Sequence, residues 1–167
     1  EIPKRDWSSD VCSSDLPGIT TPQAWSHVHI VLNHLPTAGI VFAIALLAAA
    51  MRLDNALMKR GSLILFVLCA LSGIPAFIAG TAAMWALTQP AIPEAPTAKA
   101  IINAHRDMAL WTLAGLAFTG GAAWLELWRS RREGVISGRG LRLVMIFALV
   151  TLALMTETGH QIGRAHV

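Results

Sequence analysis

Four long apolar runs, separated by short polar stretches, dominate the chain. They cover residues 29–51, 62–87, 108–128 and 141–156, the last extending to His160. Each is close to the roughly 20 residues a helix needs to cross a bilayer. None carries a polar stripe wide enough for a soluble amphipathic helix. At membrane depth every backbone group must be satisfied internally, so each open-chain span has to be helical. The pattern predicts an all-α fold, an integral membrane four-helix bundle with antiparallel neighbours.

The stretches between the runs refine this picture. Residues 54–60 join the first two runs and residues 130–140, with Gly134, Gly138 and Gly140, join the last two. The middle connection is longer and carries Pro90, Pro93 and Pro96; it is predicted to lie extended over the mouth of the bundle. Pro36 and Pro75 interrupt the backbone ladder of runs one and two, predicting kinks or, for Pro36, the start of regular helix. Small residues recur four apart at Gly39/Ala43, Ala76/Gly80 and Gly115/Thr119, a spacing that lets helices approach closely in lipid.

Composition agrees: 54% of residues are hydrophobic and the mean hydropathy is +0.56. The basic balance (pI about 9.4) does not point to nucleic acid, because the charges sit between apolar runs rather than on a patch. Arg52, Lys59 and Arg60 flank the first connection. Arg129, Arg131, Arg132, Arg139 and Arg142 flank the third, whereas the middle one has only Lys99 and Arg106. The positive-inside rule then predicts an N-out/C-out topology, with Trp25 and Trp85 at the outer interface and Trp124 and Trp128 at the inner one.

The termini read differently. Residues 161–167 back-translate as CAG ATC GGA AGA GCA CAC GTC, and residues 10–16 as GAC GTG TGC TCT TCC GAT CTN. From AGATC onward the first is the reverse complement of the second, as expected of a read-through sequencing adapter. Residues 1–16 and 162–167 are therefore set aside as adapter-derived, leaving 17–161 as the four-helix domain. This removes Cys12 and His166. Cys69 then stands alone inside run two, so no disulfide or cysteine zinc site is expected; it reads as a small core residue.

The remaining histidines are His27, His29, His34, His105 and His160. Under the predicted topology all five fall at or near the outer leaflet. His34 is the deepest of the first three, and an imidazole there is expected to face the bundle, because facing lipid is costly. His34 and His105 are expected to meet across the core, with His160 approaching from a third helix. Imidazoles at one end of an apolar bundle suit haem b, held by one histidine on each side of the iron, with Arg106 pairing a propionate. His34 and His105 are the expected axial ligands; His29 and His160 form a second pair or propionate partners. Glu157 is expected to orient His105 or His160 by a hydrogen bond. Glu157-x-x-His160 also has the spacing of di-iron carboxylate bundles, but it occurs once, with no other intramembrane carboxylate read beside it. Non-haem iron or copper is the alternative metal.

The segment His29-Ile-Val-Leu-Asn-His34-Leu-Pro36 resembles the opening of a bacterial family of four-helix membrane domains whose first helix begins His-Pro and continues Val-His-Phe-Pro. The five-residue step between histidines and the following x-Pro match; the proline after the first histidine does not, since Val28 and Ile30 flank His29. His105 and Thr158-Gly159-His160 are similar to that family's later positions. The family has no established reaction, and in outline it is similar to small b-type cytochromes. The resemblance implies a multi-pass protein of the bacterial inner membrane. The expected function is electron transfer, with the lipid bilayer and a redox partner or quinone as partners and a homo-oligomer open. The alternatives are a non-enzymatic anchoring or assembly module and an outer-leaflet copper or iron handling protein. No nucleophile elbow, phosphate loop or nucleic-acid motif is present, so a carrier or membrane module is expected rather than an enzyme.

Overall fold

The computed structural model describes residues 22–87 and 96–163, with side chains described over 24–85 and 100–160. The chain forms four helices in the order α1 (Pro22–Arg52), α2 (Ala56–Leu87), α3 (Pro96–Glu133) and α4 (Gly138–Gly163). Each has a window long and apolar enough to cross a membrane, with mean hydropathies of 2.0, 2.4, 1.4 and 1.8 in chain order.

The helices extend beyond the apolar runs, most of all at the starts of α1 and α3. α1 starts seven residues before His29, and it continues through Pro36. α3 starts at Pro96, a residue type suited to the first helical turn, so His105 lies well inside that helix rather than at its head. Hydropathy marks where an apolar slab ends, but helical hydrogen bonding goes on into the polar 96–107 segment. Apart from Pro96, the predicted extended cover lies outside the described residues.

The short connections have visible causes. Asp54 takes a left-handed φ of 49°, and Asn55 Oδ1 accepts the Met58 N–H at 3.0 Å, capping the start of α2. Lys59 reaches back to pair with Asp54. α3 ends where Gly134 adopts a φ of 74° and its N–H bonds the Ser130 carbonyl, a glycine-terminated helix end. The loops are thus three and four residues long, shorter than the polar stretches, whose arginines lie on helix ends.

The helices pack as a ring. α1 lies along α2, α2 along α3 and α3 along α4, while α1 and α4 close the ring over a shorter stretch. α1 and α3 therefore stand diagonally. The core is made of Ile40, Leu47, Leu63, Phe66, Leu116 and Val144 with several alanines. Polar side chains join it: Ser62, Thr112, Thr119, Glu126, Ser130 and Thr151 are all buried. The outside is the more apolar surface, with Phe42 74%, Trp85 71%, Phe118 68% and Trp111 66% exposed. Large apolar side chains thus lie both inside and outside, with small and hydroxyl-bearing residues between the helices, an arrangement suited to lipid, where close packing and hydrogen bonds, rather than the hydrophobic effect, join helices. All four helices are long and apolar enough to span a membrane, which suggests a multi-pass membrane protein.

The small-residue pairs work as their spacing implied. A Cβ built at Gly39 would fall 2.6 Å from Cys69 Sγ, and one at Gly115 would fall 2.8 Å from Thr151 Oγ1. Two threonine pairs link α3 to α4: Thr119 with Thr151 at 3.0 Å and Thr112 with Thr158 at 2.8 Å.

Candidate functional site

The inward stripe of α1 is set by residues seven apart. Pro36, Ala43 and Ala50 are buried on it, and His29 occupies the same face one repeat earlier, since i and i+7 share a helix face. α3 repeats this arrangement, with Thr112 buried seven residues after His105. Two diagonal helices thus carry an imidazole on their inward stripe. Arg52 follows His29 by 23 positions and Arg129 follows His105 by 24, so both rings lie toward the end of the bundle away from the arginines. At ~1.5 Å per residue each ring stands ~35 Å along its own helix from that arginine, a length comparable with a hydrocarbon layer ~30 Å thick.

Each ring is fixed by a neighbouring helix. His29 Nδ1 donates to the Ala76 carbonyl of α2 at 2.9 Å. His105 Nδ1 donates to the Thr158 carbonyl of α4 at 3.0 Å. A carbonyl has no proton to give, so Nδ1 is the protonated nitrogen, and in the neutral ring Nε2 keeps its lone pair. Gly80 makes room for His29: a Cβ there would fall 2.7 Å from His29 Cε1. The Ala76/Gly80 pair is therefore the seat of this ring, providing the carbonyl from one residue and the space from the other.

His34 does not face the bundle as expected. It is exposed, and its Nδ1 donates to the Ile30 carbonyl of its own helix at 2.6 Å. The reason is angular: five residues at ~100° each place it roughly 140° around the helix from His29, so the two cannot share the inward stripe. The carbonyl one turn back supplies the partner that was expected from the core. The structure does not bring His34 and His105 together. His160 and His27 are exposed, as is Arg106. Glu157 is half-buried, and the Nδ1 of His105 is oriented by the Thr158 carbonyl.

At the opposite end of the bundle lies a residue that the sequence reading passed over. Glu126, 4% exposed, is a carboxylate inside the third span. Its Oε1 accepts the Ser137 N–H at 2.5 Å, just before α4 begins at Gly138. A Cβ at Gly140 would fall 2.0 Å from Glu126 Oε2, so only glycine lets the carboxylate lie this close. Placed at a helix N-terminus, its charge is matched by the helix dipole. The signal was present in the sequence: Glu126 lies seven residues after Thr119, on the inward stripe.

Among the described residues, no group of three or more His, Cys, Asp or Glu side chains is placed to hold a metal ion. A b-type haem asks for less, one imidazole on each side. His29 and His105 fit that demand in residue type, inward stripe and tautomer, because a metal-ligating histidine usually donates its second nitrogen to a carbonyl or carboxylate. His34 with His105 does not fit it. Comparison with known proteins gives no match to a family model, and no significant match to a curated protein or a solved structure.

Proposed function

We propose that the protein is a membrane electron-transfer module that holds haem b between His29 and His105 at the outer end of the bundle. The observation that carries this reading is the pair of half-buried imidazoles on diagonal helices, at one end of the bundle, each with Nδ1 bonded to the next helix's carbonyl. Haem supplies reversible one-electron chemistry when bound. The chain supplies the rest. The Ala76 and Thr158 carbonyls hold the two rings in the tautomer that presents Nε2, and the apolar spans keep the site from water on the bundle side. Arg106, exposed and next to His105 in sequence, suits a propionate at the interface. The basic ends of α1 and α3 support a cytoplasmic placement of the two short loops, with the histidine end facing outward from a bacterial inner membrane.

A second reading has its own observation. His29 and His105 each tie one helix to its neighbour, and the close seat on Gly80 suits a purely structural clamp in an anchoring module. A reduced-minus-oxidised absorption spectrum of the protein purified from haem-replete cells separates the two. Bis-imidazole ligation gives a low-spin iron with a sharp Soret band. Colourless protein sinks the electron-transfer reading and leaves the clamp.

A further inference from the structure

A trough runs down the outer face between α2 and α3. Its upper part, a hollow of about 560 Å³, is lined by residues including Ile74, Gly121, Val67 and Trp124. Its lower part, about 190 Å³, shares Val67 and Trp124 and ends at Trp128 and Arg131. The upper volume alone lies within the ~300–1,000 Å³ range of small-molecule sites. The trough is open at Gly121, where an added Cβ would meet nothing within 4 Å.

Charge identifies the occupant. Three arginines lie at the basic end of α3. Arg129 pairs with Glu133 at 3.7 Å, and Arg132 stacks over the Trp128 ring at 4.1 Å. Among the described residues Arg131 has no acidic partner, and it stands at the end of the trough. An apolar channel along a membrane span, ending at an aromatic belt and an uncompensated guanidinium, is complementary to a hydrocarbon tail with an anionic head. Guanidinium is also the side chain best matched to phosphate oxygens.

We propose that this trough binds one anionic phospholipid, with an acyl chain along Ile74, Gly121 and Trp124 and the phosphodiester at Arg131. The site depends on the chain spanning a membrane. It depends neither on its orientation nor on haem.

The test is lipid retention by the purified full chain. Protein in a mild nonionic detergent is incubated with dioleoyl phosphatidylglycerol or dioleoyl phosphatidylcholine, and bound lipid is counted by native mass spectrometry. The wild type should retain the glycerol lipid roughly fivefold better, the factor expected for one arginine beside an anionic headgroup. Arg131→Gln should bring that ratio to about one. Gly121→Leu, which fills the trough without a backbone clash, should lose both lipids while keeping its helical circular dichroism. Equal retention by the wild type, or an unchanged preference in Arg131→Gln, overturns the proposal. So does Gly121→Leu protein that keeps the lipid but changes oligomeric mass, which would make the occupant a second copy. Full displacement of the lipid by millimolar inorganic phosphate would reduce the site to a phosphate contact and also overturn it.

Discussion

Gly120 and Gly121 are adjacent, and their replacement by alanine should have opposite effects. At Gly120 the new Cβ would fall 2.4 Å from Ala70 Cβ and 3.5 Å from the Phe66 carbonyl oxygen. Carbon atoms pack at ~3.5–4.0 Å, so α2 and α3 must part by about 1 Å, because the clashing Ala70 Cβ cannot swing aside. Overpacking of this kind costs about 1–3 kcal/mol, and rigid neighbours place it toward the upper end. Replacing glycine in a helix interior returns about 1 kcal/mol of propensity. Gly120→Ala should therefore destabilise by about 1–2 kcal/mol. At Gly121 no atom lies within 4 Å, so only the propensity gain remains and Gly121→Ala should stabilise by about 0.5–1 kcal/mol. Unfolding by sodium dodecyl sulfate titrated into nonionic micelles, followed by circular dichroism, reads both values. Shifts of the same sign, or a Gly120→Ala variant as stable as the wild type, would refute the close α2–α3 packing.

Three further outcomes are expected. Glu126→Leu should destabilise by about 2–3 kcal/mol, by leaving the Ser137 N–H without its partner and removing a charge matched to the helix dipole. It should also speed proteolysis in the 134–137 loop, and unchanged nicking would argue against the tether. Lys59, by hydrogen bond and charge, holds the Asp54 carboxyl below the ordinary aspartate range. A carboxylate held low in the folded state stabilises it above the unfolded pKa and loses that contribution as pH falls through the folded value. Carbon-detected NMR should find an acid-shifted midpoint for Asp54 that reverts toward normal in Lys59→Ala; an unshifted wild-type midpoint would contradict the pair. Single cysteines at Asn55 and Val135 should resist an impermeant thiol reagent in intact cells, and ready labelling of both would invert the proposed topology.

The spans, the short loops and the small-residue seats were legible because each follows from local rules: apolar length, glycine at a helix end, small residues four apart. The direction of each histidine required the inward stripe as well. His29 and His34 cannot both face inward, and cost arguments alone favoured the deeper one. The heptad of Pro36, Ala43 and Ala50 points to His29, and its register decides the matter. Glu126 was missed because it sits among Trp124, Leu125, Leu127 and Trp128 near a basic helix end, where a carboxylate reads as interfacial. Its inward direction follows from the stripe it shares with Thr119, but its partner, the Ser137 N–H, depends on the path of the 134–137 loop, a tertiary feature that no helical periodicity encodes.

The most direct test of the inward pair is the low-spin absorption spectrum of histidine variants purified from haem-replete cells. His29→Ala and His105→Ala should each abolish the sharp Soret and alpha bands, whereas His34→Ala, which removes an exposed ring bonded only to its own helix, should leave them unchanged. A spectrum lost in His34→Ala and kept in His29→Ala would contradict this assignment.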